Sequence, residues 1–284
     1  MNPTQARIGI LTNDAEKVFQ ANVIDGAVEA AMQAGFATEI FCVPDGVQAT
    51  NALPFAPAAL SGLLVIANIA SDAVLHSLAA TGLPMSLVSH SVADSRIPSV
   101  IPDNEKGVEQ LMAHLIDDCG RRRIVFIQGH MGQNDGISRD RAFRAALIRH
   151  DLPDNAATTV TGEFQPEVAA ASLAALVGTR RDFDAVVAAD YLMAVAAVDV
   201  LRGVGLRVPE DVCVAGFGDG PEAEAAGVTT VAANVRELGQ RACRQLLGQI
   251  QGLPVRGITV LATELIQRQT TQPRSSHHPQ TAHQ

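Results

Sequence analysis

Arg121–Leu147 reads RRRIVFIQGHMGQNDGISRDRAFRAAL, and this stretch decides the fold class. Ile124 to Ile127 is a short apolar run of the length that a buried parallel strand needs. Gln128 and Gly129 break it and a polar loop follows. A helix is expected from about Ser138, with Phe143, Ala146 and Leu147 as its apolar stripe. Arg139 then falls in the first helical turn, beyond the carboxyl end of a strand, where open α/β sheets bind ligands. A planar guanidinium fork suits paired oxygens, but the same residue suits a solvated helix start. This stretch alone leaves both readings open.

Outward from it the strand–helix alternation repeats. Ile8 to Leu11, Glu39 to Val43, Gly62 to Ala67 and Met85 to Val88 read as strands, with helices over Asn22 to Ala34 and Ser71 to Ala80. A segment with Pro44, Pro54 and Pro57 occupies the place of a further helix and is a weak helix former. At Ile97 to Asn104 the pattern restarts, with a helix over Glu105 to Asp118. Beyond the opening stretch, strands are expected over Thr158 to Thr161, Asp184 to Ala188 and Val212 to Phe217, with helices over Pro166 to Val177 and Leu192 to Val204. Two consecutive βα series, each too short for a barrel, imply an α/β protein of two doubly wound, Rossmann-like lobes with parallel sheets. Val228 to Ala232 and Thr259 to Gln267 are extended, and the helix between them, Val235 to Gln251, could complete either lobe. Beyond Gln269 the composition turns polar, too poor in apolar groups to offset the entropy of ordering.

Composition narrows the function classes. With 284 residues, 47% of them apolar, the chain can hold two lobes of ordinary size. No apolar run approaches the roughly 18 residues of a membrane span. MNPTQARIGI runs straight into a strand pattern without a leader, so a cytoplasmic protein is expected. The four cysteines lack metal-type spacing; Cys42 and Cys213 lie in apolar strand runs and are expected as buried free thiols. A net charge of −9 argues against gripping a phosphate backbone over a broad face, and Arg121 to Arg123 read as a solvated turn. His277, His278 and His283 sit in the polar tail and are not taken as metal ligands; no cofactor is expected.

Gly216-Phe217-Gly218-Asp219-Gly220 resembles a dinucleotide-binding turn, but its GxGxG spacing departs from GxGxxG, and Asn234 and Arg236 occupy the distance at which the fingerprint asks for an acid. There is no GxSxG elbow. Ser89 and His90 are adjacent in a strand and point to opposite faces, which rejects them as a nucleophile and base. What remains is a set of polar and aromatic residues near strand ends: Asp14, Phe19, Asn68, Ser89, Asp135, Arg139, Phe164, Asp190, Gly218 and Asp219. Hydrogen-bonding groups with one or two flat apolar walls suit a small polar ligand in a cleft. Asp14 and Asp219 are equally readable as helix N-caps.

Several stretches, in order, resemble the effector-binding domain of lac-repressor/galactose-repressor (LacI/GalR) regulators, which has the type I periplasmic-binding-protein-like fold. They are Ile97-Pro98-Ser99-Val100 with Asp103-Asn104, Arg122 to Ile127, Arg139 to Leu147, Leu206-Arg207-Val208-Pro209-Glu210-Asp211-Val212, Val214-Ala215-Gly216-Phe217, Val228-Thr229-Thr230-Val231 and Thr263-Glu264-Leu265. By position, the resemblance implies that Arg139 is the ligand-clamping arginine, Phe164 an aromatic wall and Phe19 the aromatic of the first lobe. It implies three crossover segments, near 102–103, 231–232 and 261–263. The lobes are then 6–102 with 232–261 and 103–231 with 262–270, followed by an unordered tail over 271–284. That assigns helix 235–251 to the first lobe.

Three departures matter: Asp190-Tyr191 replaces the family's Asn-Asp, Gly218 replaces the first aspartate of Gly-Phe-Asp-Asp, and Ser89 replaces an aspartate. Only MNPTQAR precedes the first strand, where the family's repressors carry a helix-turn-helix. The expectation is a cytoplasmic, non-enzymatic sensor, a homodimer whose lobes close on a sugar, polyol or nucleoside-like effector, with no DNA binding by this chain alone. The rivals are a doubly wound enzyme, which a displaced carboxyl pKa at Asp190 would favour, and a degenerate domain keeping only a dimer face.

Overall fold

Continuous apolar runs separated by helices make parallel strands covered on both faces, and the chain builds two six-stranded sheets from them. The computed structural model describes residues 6–273 except Asp45, Gln48, Asp94 and Ser95, and except the side chains of Asn51 and Asp154. In chain order the elements are β1 Arg7–Thr12, α1 Val18–Gln33, β2 Ala37–Cys42, β3 Gly62–Ile66, α2 Asp72–Ala80, β4 Met85–Val88, β5 Ser99–Pro102 and α3 Asn104–Ala113. Then follow β6 Ile124–Gln128, α4 Asn134–Arg149, β7 Ala157–Thr161, α5 Pro166–Thr179, β8 Ala185–Ala188, α6 Tyr191–Gly203, β9 Cys213–Phe217 and α7 Pro221–Ala226. The last are β10 Thr229–Ala233, α8 Val235–Ile250, β11 Ile258–Leu261 and β12 Thr263–Ile266.

Unit 1 runs to Asn104 and takes in Met131–Ser138 and Ala233–Thr263; unit 2 holds Glu105–His130, Arg139–Ala232 and the chain from Glu264. The segment Met131–Ser138, read from sequence with the second lobe, groups with unit 1. The strand orders are β11-β5-β4-β3-β1-β2 and β12-β10-β9-β8-β6-β7. In each the chain reverses direction once across the sheet, between β1 and β3 and between β6 and β8. The carboxyl ends of those two strand pairs are the topological switch points.

In unit 1 the alternation of side chains along β3 sorts the core. Leu64 and Ile66 join Ile8, Ile10, Val88 and Val100 under α1 and α8. Leu63 and Val65 join Leu87, Met85 and the α2 residues Val74, Leu75 and Leu78 on the other face. Helix α8 therefore completes unit 1. It lies close to α1: a Cβ on Gly26 would overlap the Arg236 carbonyl oxygen, and one on Gly239 would overlap that of Val23. Unit 2 has one cluster spanning both faces of its sheet, from Val108 and Leu111 of α3 to Leu173 of α5 and Leu201 of α6.

Several expectations are corrected. Between β2 and β3 two short 3-10 turns, Thr50–Ala52 and Pro57–Ala59, replace the further helix, as three prolines in that segment favour. Thr259 to Gln267 divides into β11 and β12, one in each sheet. Cys42 is exposed, because β2 is an edge strand with one open face. Thr271 begins the expected tail by composition, yet Thr270 and Thr271 are buried and bonded to β9 and β10. The tail histidines His277, His278 and His283 lie outside the described residues. Among the described residues no helix is long and apolar enough to cross a membrane.

Candidate ligand-binding site

Helix α4 opens at Asn134, one turn earlier than Ser138. The Asn134 backbone N–H donates to Asn68 Oδ1 at 3.1 Å, so a side chain 66 residues away caps the helix. Arg139 consequently lies in the second turn, on the same face as Phe143 and 9% exposed. Its Nη1 donates to the Ala189 carbonyl, just past β8, at 2.7 Å. Since α4 follows β6, that bond spans the switch point of the unit 2 sheet. The guanidinium lies over the Phe217 ring, 3.8 Å from its centroid, with Phe164 at 5.8 Å. An aromatic face beneath a desolvated arginine contributes about 1–2 kcal/mol and holds the fork in one plane.

Phe164 is held there by strained backbone. Glu163 and Phe164 have φ of 56° and 57°, in the left-handed region, and a Cβ on Gly129 would overlap the Phe164 ring. Among the described residues the other non-glycine positions of this kind are Ala67 and Ser89, at the ends of β3 and β4, and Asp151 after α4. Each costs on the order of 1 kcal/mol or more, and such strain collects at functional sites. Four of the five are at strand carboxyl ends. This is independent support for binding there, and it has no signature in the sequence.

Asp190 caps α6, accepting from the Met193 N–H at 3.0 Å. Burial pushes its carboxyl up to about 6, against the Met193 amide and the Arg139 charge, which both lower it. The displacement that would favour an enzyme is therefore present, with desolvation as its cause, opposed by the helix-cap bond, and no second carboxylate behind it. A carboxyl whose folded value lies above the unfolded one stabilises fully below about 3.9, and that stability is lost as pH rises through the folded value. The Asp190 contribution should thus fall away between pH 4 and 7. Asp190 is half-buried, so solvent screening holds the effect to about 1 kcal/mol. Thermal melts of the protein and of Asp190→Asn at pH 5 and pH 7.5 should converge towards the acid side; parallel curves would rule the shift out.

Tyr191 explains the glycine triplet that resembles a nucleotide turn. A Cβ on Gly216 would come within 2.8 Å of Ala194 Cβ and 2.9 Å of Tyr191 Cα; one on Gly220 would come within 2.5 Å of Tyr191 Oη. Gly218, at φ 85°, lies against the same ring. The glycines make room for Tyr191, whose hydroxyl donates to Glu222 Oε2 at 3.3 Å. Burial pushes its phenol above the ordinary tyrosine value. Asp219 is paired with Arg268, Nη2 to Oδ2 at 2.8 Å and Nη1 to Oδ1 at 2.9 Å, and also accepts from Thr230 at 3.1 Å. It is not an N-cap: Gly220 holds that position in α7. Sequence reading missed Arg268, which carries no local signal.

The unit 1 candidates differ in what they have left to offer. Asp14 Oδ1 accepts from the Glu16 N–H at 2.8 Å, closing a turn ahead of α1. Phe19, in the first turn of α1, is partly buried against the α1–α8 cluster. Asn68 Nδ2 donates to Asn134 Oδ1 at 2.6 Å, so its amide is engaged at both ends. Asp135 accepts from Asn104 Nδ2 at 2.8 Å. Ser89 is 3% exposed and its Oγ has no hydrogen-bond partner, an unusual state for a buried hydroxyl. That also separates it from His90, whose Nε2 pairs with Asp72 at 3.2 Å. Among the described residues no cluster of His, Cys, Asp and Glu could hold a metal ion.

Comparison with known proteins agrees with this fold. A family model for a periplasmic binding protein-like domain matches residues 112–271. The HTH-type transcriptional regulator CelR of Thermobifida fusca is 30% identical over 260 residues, covering 89% of this chain and 76% of its own. The HTH-type transcriptional repressor PurR of Yersinia pestis is 27% identical over 250 residues, covering 86% and 73%. A solved transcriptional regulator CelR–cellobiose complex superimposes with a TM-score of 0.81 at 25% identity, over 94% of this chain and 86% of that one. The fold and its strand-end residues define an effector-sensing domain of the type I periplasmic-binding-protein-like class. The chain belongs to the LacI/GalR family of transcriptional regulators.

Proposed function

We propose that the effector is a neutral, hydroxyl-rich molecule, a sugar, polyol or nucleoside, bound at the switch point of the unit 2 sheet. The observation that carries this is the Arg139 fork, fixed between Ala189 and Phe217 with Phe164 beside it. The fork asks for acceptor oxygens, the Asp190 carboxylate for donors, and an aromatic wall for an apolar ring face. A hydroxyl both donates and accepts. A dianionic phosphate ester would meet Asp190 and is disfavoured. The sugar bound by CelR supports the same chemistry. Asp14, Phe19, Asn68, Ser89 and Asp135 are the candidate ligand residues within unit 1, and Gly218 and Asp219 those of the loop after β9 in unit 2.

The test is a thermal-shift series of sugars, polyols, nucleosides and phosphate esters, followed by calorimetry. A binder at a hundred times its Kd should stabilise by about 2.7 kcal/mol, roughly 5–10 °C for a protein of this size. If the only binder is a phosphate ester with affinity indifferent to Asp190→Asn, the charge argument fails. Turnover of the bound compound would favour an enzyme instead, the reading that the raised Asp190 carboxyl keeps open. The same proposal takes the chain as a cytoplasmic, non-enzymatic homodimer that senses its effector by differential affinity for two states. With its net charge of −9 it does not bind DNA specifically by itself. A monomer mass in light scattering, or a salt-resistant sequence-dependent gel shift, would count against those two points.

A further inference from the structure

One edge of the unit 1 sheet stands open. β11 pairs in parallel with β5, Ile258 opposite Ser99 and Leu261 opposite Pro102, and has no second neighbour among the described residues. The Gly257 and Leu261 carbonyls accept from the N–H groups of Ser99 and Asp103, at 3.0 and 2.8 Å. Backbone groups alternate in direction along a strand, so the N–H and C=O of Ile258 and Val260 point to the open edge. The side chains alternate as well. Gln245 Nε2 of α8 donates to Thr259 Oγ1 at 2.9 Å, and Leu261 is packed in the α8 cluster. Ile258 and Val260 therefore face the α2 side of the sheet, where α2 packs on β3 and β4 and leaves them 56% and 52% exposed.

Natural sheets protect such an edge with a lysine, a proline or a bulge. Ile258–Leu261 carries neither Lys nor Pro, and its register with β5 is unbroken. On the α8 side a groove of about 340 Å³ runs beside the same edge, lined by Arg241, Arg244, Gln245, Leu253, Val255 and Thr259 among others. From Leu238 to Thr263 the chain carries three arginines, Arg241, Arg244 and Arg256, and no carboxylate side chain, although the whole protein has a net charge of −9. Arg241 is paired with Glu237 at 2.8 Å, while Arg244 and Arg256 form no salt bridge among the described residues.

We propose that β11 is a docking edge for an extended segment of another protein in which acidic and apolar residues alternate. The segment adds a strand to the six-stranded sheet and pairs with the outward backbone groups of Ile258 and Val260. Its apolar side chains lie on the α2 side and cover Ile258 and Val260. Its acidic side chains point to the α8 side and meet Arg241 and Arg244 in charge-assisted hydrogen bonds. Main-chain pairing supplies affinity and the alternation selects the sequence. A second copy of this chain fits less well. Two β11 strands paired across a two-fold axis put both α8 helices on one face, where Arg241 and Arg244 of each copy meet like charges. The edge uses none of the candidate ligand residues.

The test uses the full chain and a fluorescein-labelled peptide of alternating glutamate and valine, read by fluorescence anisotropy, with alternating lysine and valine as control. The glutamate peptide should bind saturably and the lysine peptide should not. Arg244→Glu should weaken the glutamate peptide roughly tenfold, an attraction turned into a repulsion, and improve the lysine peptide. Val260→Pro removes an outward N–H and leaves the β5 ladder intact, as an edge position allows. It should abolish binding while the melting temperature stays near the parent's. Backbone N-methylation needs no variant and decides the matter even if Val260→Pro folds poorly. Methylated valines in one peptide and methylated glutamates in another should abolish binding in one and spare it in the other, since only one set faces β11. No saturable binding of the glutamate peptide, equal binding of the lysine peptide, or indifference to both methylations would overturn the proposal. So would a dimer mass in light scattering that Val260→Pro turns into a monomer, since a second copy would then hold the edge.

Discussion

Gly239→Val should cost unit 1 about 3 kcal/mol or more, the upper range for overpacking a core. Two backbones meet at this position: a Cβ there overlaps the Val23 carbonyl oxygen, and the facing Gly26 meets the Arg236 carbonyl in the same way. A flexible side chain could rotate aside, but a helix backbone cannot, so α8 must lift off α1. Leu238, Ala242 and Leu246 would then lose their seat over Ile8, Ile10 and Leu64. A melting temperature lowered by roughly 6–12 °C, or an insoluble product, is the expected reading. Gly178→Ala is the control, since nothing lies within 4 Å of its Cβ. It should gain about 0.5–1 kcal/mol from helix propensity. If Gly239→Val melts with the parent, the close contact of α1 and α8 is not what holds α8 to this unit.

Arg139→Ala should lower effector affinity by a hundredfold or more. Two charge-assisted hydrogen bonds at roughly 1.5–3 kcal/mol each set that scale. Stability should fall as well, by about 1–2 kcal/mol, because the Ala189 carbonyl loses its donor and the Phe217 face its cover. The structure thus gives this arginine a share in folding that a solvated helix start would lack. Arg139→Lys separates the two roles. An ammonium can still reach the Ala189 carbonyl and restore stability, but it lacks the planar fork and should leave affinity low. Calorimetry and melting run side by side on both variants decide. Full affinity in Arg139→Ala with a lowered melting temperature would make the residue purely structural.

The strands were legible because their signal is local. Ile124 to Ile127 and Gly62 to Ile66 are buried on both faces, and a run of apolar residues says so without reference to the rest of the chain. Edge position is not local, and Cys42, in a strand run of the same kind, is exposed for that reason. Nor is the start of α4: Ser138 has the chemistry of a cap, but Asn68 provides one at Asn134 from 66 residues away. Nor is the need for Gly26 and Gly239 local: only the meeting of their two helices makes them necessary.

For the site, the sequence by itself determined the residue types and the places of Phe164 and Asp190 just past strand ends. The apolar period that sets strand ends is written into each segment, so these places did not depend on how the segments assemble. Tertiary structure decided which polar groups remain to be used. It paired Asp219 with Arg268, engaged Asn68 with Asn134, left the Ser89 hydroxyl without a partner and spread Arg139 over Phe217. Hydrogen-bond satisfaction belongs to pairs that are dozens of residues apart, and no window of sequence contains both members.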